Sequence, residues 1–538
     1  MGLDYAKTIE KWDVLEATIS GPNEGNPFCD QWIKGTFCCK NEKKTVDGFY
    51  DGDGVYKVRF MPSFTDEYTF EIEASFDIKA GAEVPDEGEP EHKHGTADDG
   101  TEAEQYAVRN ILTGSFTVIP PSADNHGPVR VAGTYYLAYE DGTPYHCIGT
   151  TCYVWNLQNG ELQKQTLKTL EENAFNKIRF CIFPKHYDYN LHEPITYPYE
   201  GTPCDSSVLN ENNFAEYNGC APGNDWDFTR FNPAHFQHIE KCIQALMKLG
   251  IEADLIVMHP YDRWGFSMMK AEDDDRYWKY VLARFSAYRN VWWSLANEYD
   301  LMHEKTLSDW ERYAGIICEK DPYHHLRSIH NCKAYYDYNL PWITHCSIQR
   351  TETYRSSELV NEWREKYHKP VILDEICYEG NIQFGWGNIS GEEMTRRFWE
   401  AFCRGGYPGH GETYLSPDRI LWWSHGGVLH GTSPDRIRFL AKIMEETPGL
   451  GVEPMPCKWD EVACRAAGFP ARKDYFIYYY SFMRPGFRDF YFDDTTEYQV
   501  EIIDTWEMTV TDGGIHKGKF RVKLPGKEYM AVRLQIAK

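Results

Sequence analysis

Two short stretches of the sequence end in carboxylates suited to act together. Val291–Asp300 reads Val-Trp-Trp-Ser-Leu-Ala-Asn-Glu-Tyr-Asp, an apolar run that turns polar at Asn297, Glu298 and Asp300. Pro370–Glu375 reads Pro-Val-Ile-Leu-Asp-Glu and ends on Glu375. Strands buried along their length and polar at the C-terminal tip are what a parallel barrel supplies where its chemistry happens. Two carboxyl groups facing each other across a glycosidic bond divide the work of hydrolysis. One protonates the leaving oxygen and the other attacks the anomeric carbon; a separation of about 5–5.5 Å goes with retention and about 6.5–9.5 Å with inversion. Glu298 and Glu375 are 77 residues apart, the length expected of three βα units. A solvated surface carboxylate would follow polar sequence, whereas these two follow aromatic and β-branched runs.

The same strand-end rule nominates a supporting set. His259 ends the third expected strand and His330 the fifth, where each can bond a hydroxyl or orient a carboxylate, or serve only the core. Trp155, Trp264 and Trp423 are candidate platforms for stacking a sugar ring, with core packing as the alternative for each. Gln349 and Tyr378 sit at the starts of loops. Glu412, in His410-Gly411-Glu412-Thr413-Tyr414, is a further carboxylate on the same face. Asp374 neighbours Glu375, but strand alternation points it the other way. Asp300 has no assigned role.

These residues need elements to hold them. Apolar runs alternate with helical segments from about residue 146 to 448, the mark of βα units and of a (β/α)8 barrel. The eight expected strands are Tyr145–Thr150, Lys177–Phe183, Glu252–Met258, Val291–Ala296, Leu326–His330, Ile343–Ile348, Val371–Asp374 and Ile420–Trp423. Asn232-Pro233 opens a helix that stops before Gly250. Ser390 and Glu393 form a capping box for a helix that runs through Phe402, and Ser433-Pro434 starts another that ends before Pro448. The main insertion, Lys185–Phe231, follows the second strand and is expected to form a wall or lid at the active face. Alternating segments and turn residues make 1–130 a β-sandwich and 451–538 a small β-domain, around a catalytic barrel at 131–450. The acidic stretch Ala82–Gln105 reads as a flexible loop. Asp51-Gly52-Asp53-Gly54 reads as a hairpin turn rather than a calcium loop, and Gly513-Gly514 as a turn.

Bulk properties exclude several classes. A chain of 538 residues is too long for one core, and 42% hydrophobic content is ordinary for a soluble globular protein. A formal net charge of −26 argues against nucleic acid and anionic membrane surfaces as partners. No apolar run is long enough to span a bilayer. The first residues lack the apolar core of a signal peptide, so a cytoplasmic location is expected. The 16 cysteines include no Cys-x-x-Cys pair, which points to reduced, buried thiols and away from a zinc site. No metal and no cofactor is expected. The partner is a carbohydrate, and a homo-oligomer is compatible with the sequence.

Trp293-Ser294-Leu295-Ala296-Asn297-Glu298-Tyr299 resembles the fourth-strand motif of clan A glycoside hydrolases, and Ile372-Leu373-Asp374-Glu375 their seventh-strand motif. More narrowly, Gly149–Trp155 and His259–Trp264 resemble the apiosidase-like group of barrels, also labelled collagen-binding, which carry an N-terminal β-sandwich and a C-terminal β-domain. The resemblance implies a retaining β-glycosidase with Glu298 as acid/base and Glu375 as nucleophile. It also implies that Asn297 bonds the sugar 2-hydroxyl and that Arg179, in the second strand, holds Glu375 ionised, with a buried ion pair elsewhere in the barrel as the alternative for Arg179. The segment Ile420–His425 departs from any pattern tied to a known specificity. Glu298 must stay protonated near neutral pH, and loss of its partner's charge on glycosylation would lower its pKa for the second step. Exo-action on short, β-linked or plant-type glycosides is expected, because a cytoplasmic enzyme meets imported small substrates. The rival is a non-catalytic carbohydrate-binding protein on a degenerate barrel. A metal-dependent hydrolase would want a His-x-His tip on the first strand, which is missing.

Overall fold

The computed structural model describes residues 3–78 and 110–537. The stretch Ala82–Gln105 lies outside the described residues. At the centre are eight parallel strands: Gly149–Thr151, Lys177–Cys181, Glu252–Met258, Val291–Ala296, Arg327–Ser328, Cys346–Gln349, Val371–Glu375 and Tyr407–His410. The first pairs with the second and with the eighth. A parallel bridge from His330 to Ser347 completes the ring between the fifth and sixth strands. The central strands are buried along their whole length, which is why they read as largely apolar runs without the in–out alternation of a half-exposed strand.

The eighth strand is a correction. Ile420–Trp423 is outside the barrel, and Trp422–His425 is a short helix. Its place is taken by Tyr407–His410, Tyr-Pro-Gly-His, whose Pro and Gly hide the strand signal. Glycine is nonetheless required there. A Cβ on Gly409 would sit 2.7 Å from the Leu373 carbonyl oxygen and 2.8 Å from that of Asp374, so only glycine lets the last strand lie against the seventh.

Local sequence explains the helices around the ring. Asn232 caps Pro233–Lys248 by accepting from the Ala234 N–H. Ser390 accepts from the Glu393 N–H at 3.3 Å to start Gly391–Cys403. The Glu393 carboxylate turns away to Arg396 and Arg397, so only half of the expected capping box forms. Ser433–Glu445 ends before Pro448 as read.

Sheets flank the barrel on both sides in sequence. At the N-terminus a five-stranded sheet faces a three-stranded one, and Phe37 stacks on Phe60 between them at 4.2 Å. The Asp51–Gly54 segment is a hairpin turn closed by Val55 N–H to the Gly52 carbonyl. Arg59 and Arg284 share Glu240, and Arg284 also meets Asp51 at 2.7 Å, a buried ion cluster between sandwich and barrel. At the C-terminus, six strands form one sheet and Phe487–Tyr491 pairs with Lys519–Lys523 in another. Gly513-Gly514 lies inside Thr509–His516 at a register shift opposite Val500, not in a turn. No helix among the described residues is long and apolar enough to cross a membrane.

Candidate active site

The fourth strand ends where Asn297 and Glu298 leave it. Glu298 adopts the left-handed conformation, φ 51° and ψ 56°, a placement that costs a residue with a side chain about 1–3 kcal/mol. The turn aims its carboxyl group into the barrel mouth. There Oε1 accepts from Gln349 Nε2 at 2.8 Å and Oε2 from the Tyr261 hydroxyl. Glu375 ends the seventh strand. Its Oε1 accepts from the Tyr153 hydroxyl and from Arg179 Nη1 at 3.3 Å, with His330 Nε2 at 3.8 Å. Arg179 Nη2 also donates to Asn297 Oδ1 at 3.1 Å. The Asn297 amide nitrogen is left without a hydrogen-bond partner among the described residues.

Beneath this pair lies a closed charge cluster. Lys177 Nζ is 2.8 Å from Asp254 and 2.6 Å from Asp374. Ser347 donates to Asp374 at 2.5 Å. Arg179 Nε lies 3.7 Å and 3.8 Å from the same two carboxylates. Burial alone would raise Asp374, but Lys177 and Arg179 hold it well below the usual carboxylate range. Asp374 therefore anchors the cation that anchors Glu375.

Electrostatics separates the two glutamates. Burial, and then the charge of Glu375, push Glu298 up to about 7. Glu375 has a guanidinium and a phenol on one oxygen. Glu298 is therefore the member of the pair suited to hold a proton near neutral pH.

The cavity above them has a volume of about 350 Å3 and contains both glutamates in its wall. Gln349, Tyr378 and Trp423 line it as well. The Tyr378 ring fits only because residue 411 is glycine, where a Cβ would fall 2.0 Å from the ring. Asn297, Arg179 and His330 stand behind the pair rather than in the wall. His330 is fully buried, and burial with Arg179 nearby holds its pKa well below normal, so it is neutral.

Four nominated residues are elsewhere. Trp155 begins a single-turn helix that turns it into the layer between barrel and helices, edge-on to Phe180 at 5.7 Å. Trp264 is buried between Tyr197, Phe266 and the Arg263 guanidinium. Neither ring lines the cavity, so neither is a stacking platform. His259 is buried against the Phe183 carbonyl at 3.3 Å, with a pKa pushed down to about 3 by burial. Glu412 accepts from the N–H groups of His430 and Gly431, next to Glu379, where it braces the loop before Ser433–Glu445. Asp300 has a structural role: it accepts from the N–H groups of Cys332, Lys333 and Ala334 and fixes the loop after the fifth strand.

Sequence reasoning missed Tyr153, Tyr261, Lys185, Tyr187 and Trp386, all in the cavity wall. The signal was present for three of them. Tyr153, Lys185 and Tyr261 follow the ends of the first, second and third strands by two, four and three residues.

Known families match three stretches of the chain. Residues 132–436 match the apiosidase-like catalytic domain, more than half of the sequence. The chain belongs to the apiosidase-like family. Residues 8–75 and 459–535 match two domains of unknown function, DUF5060 and DUF5605. Among solved structures, a Bacteroides vulgatus protein provisionally assigned to the glycoside hydrolases shares 36% identity and a TM-score of 0.84, over 99% of this chain and 100% of that one. A glycoside hydrolase family 5 structure from the same organism shares 15% identity and a TM-score of 0.57, over 76% of this chain and 94% of that one. A further glycoside hydrolase has 15% identity and a TM-score of 0.56, over 77% and 97%. These last two share the fold. No curated protein matches the chain. This apiosidase-like chain is thus a glycoside hydrolase, with a (β/α)8 barrel at its centre.

Proposed function

We propose that the enzyme is a retaining, exo-acting glycosidase in which Glu375 is the nucleophile and Glu298 the acid/base. The supporting observation is the asymmetry of two buried glutamates in one cavity wall. Glu298 is raised to about 7, and Glu375 is bonded by Arg179 and Tyr153. In the first step Glu298 gives its proton to the leaving oxygen while Glu375 attacks the anomeric carbon. Glycosylation removes the charge on Glu375, one of the two influences that raise Glu298. The acid thereby becomes a base that takes a proton from water. Asn297 stands just behind the pair with its amide N–H unpartnered among the described residues, which supports, on a small opening of the wall, a bond to the hydroxyl next to the reacting carbon. A cavity of about 350 Å3 supports a short occupant and hence exo-action. The reading divides the chain at about residues 130 and 450 into sandwich, catalytic barrel and β-domain.

Aryl glycosides and a mechanism-based fluorosugar test this. Label is expected on Glu375. Glu298→Gln is expected to lose about 10²–10⁴-fold in turnover, least for aryl groups that leave without a proton. Full activity in Glu298→Gln or Glu375→Gln, or label elsewhere, defeats the assignment.

A further inference from the structure

Lys185 is the one residue of the cavity wall that the mechanism does not use and that burial makes expensive. It stands at the start of the Lys185–Phe231 insertion. Its ammonium lies 3.4 Å from the centroid of the Tyr153 ring, 4.2 Å from Tyr261, 4.7 Å from Trp423 and 5.5 Å from Tyr187. It is 4% exposed and lines the cavity. Among the described residues, no carboxylate lies within ion-pair distance of it. The neighbouring cations are engaged: Lys177 by Asp254 and Asp374, Arg179 by Glu375 and Asn297.

Aromatic faces steady an ammonium without neutralising it, and they leave its N–H groups free to bond what fills the cavity. A buried cation without a counter-charge is otherwise a state that folded chains avoid. A neutral sugar would displace the water around Lys185 and return only hydroxyl dipoles. A carboxylate would return the missing charge through a charge-assisted hydrogen bond. The charge of Glu375 is already answered by Arg179, so an incoming anion meets Lys185 as the unanswered partner. We propose that the sugar held against Glu298 and Glu375 carries a carboxylate, as a uronic acid does, and that Lys185 binds it. The inference rests on the assignment of that glutamate pair.

The test compares 4-nitrophenyl β-D-glucuronide and β-D-galacturonide with the matching glucoside and galactoside. At least one acid is expected to exceed its neutral twin in kcat/KM by about tenfold or more. Lys185→Met is expected to bring that ratio to one or below, and Lys185→Arg, which keeps the charge, to preserve part of it. Calorimetry of free D-glucuronate and D-galacturonate on Glu298→Gln protein makes the same comparison without turnover. An enzyme that favours the neutral sugar in both pairs, and binds neither acid more tightly than its neutral twin, overturns the inference and leaves the glutamate pair standing. Turnover that survives both Glu298→Gln and Glu375→Gln defeats the pair itself and has a different signature.

Discussion

Lys177 and Lys185 are eight residues apart on and just beyond one strand, both buried, and they behave in opposite ways. Burial disfavours the charged form of each. At Lys177 it is overcome by Asp254 and Asp374, and the pKa rises above normal. At Lys185 burial prevails, and the pKa falls to about 8. The difference is two carboxylates against four aromatic rings. The floor of the barrel is electrostatically finished without a ligand, whereas the mouth is not. A scaffold and a site can therefore be told apart by asking which buried charges have partners.

Removing one side chain at a time should break this contrast. Lys177→Met leaves Asp254 and Asp374 buried with only the more distant Arg179 between them. A loss of about 3–5 kcal/mol is expected, read as a lower urea midpoint. Lys185→Met removes a charge that has no acid partner and should cost far less. Equal losses in the two variants would erase the distinction between floor and mouth.

The next effect is a pH dependence with opposite signs. Lys185 has a folded pKa below its unfolded one. Between about pH 8 and the ordinary lysine value the unfolded chain holds the extra proton, so stability rises with pH across that window. Measured as the difference between wild type and Lys185→Met, the gain is at most about 3 kcal/mol. Lys177 has a raised folded pKa. Its contribution is complete below the ordinary lysine value and is lost only as pH climbs through the higher one. A wild-type protein that loses ground to Lys185→Met between pH 8 and 10 would show that Lys185 is paired after all.

The same contrast explains what could be read from the sequence. Glu252–Met258 and Val291–Ala296 were legible to the residue, because a strand buried on both faces is mostly apolar, with the few polar residues paired inside the barrel. The acidic tips at Glu298 and Glu375 were legible because they interrupt such runs. Tyr407–His410 was not, since its strand depends on Gly409 fitting under two carbonyls, a constraint that only the neighbouring strand reveals. Trp155 and Trp423 looked alike as aromatic residues near strand ends; the local backbone sends one into the layer between barrel and helices and the other to the cavity. The position of Lys185 after the second strand was legible, but its role was not. Its meaning lies in the lack of a partner, and no spacing along a chain encodes what fails to arrive in space.

The smallest expected effect is the most diagnostic of how the mouth is wired. Lys185 packs on Tyr153 and Tyr261, whose hydroxyls hold Glu375 and Glu298 respectively. Glu298 sits near 7 because burial and Glu375 raise it, while the Lys185 charge pulls it down. It acts while protonated, so kcat/KM should fall as pH rises through about 7. Lys185→Met removes the one nearby cation that opposes the rise, and the alkaline limb should move to higher pH by a fraction of a unit. Lys185→Arg should hold it in place. A residue that merely filled space would leave the limb where it was and change only the plateau. A limb that shifts in Lys185→Met but not in Lys185→Arg would show that the cation reaches the acid/base through the cage even before any substrate arrives.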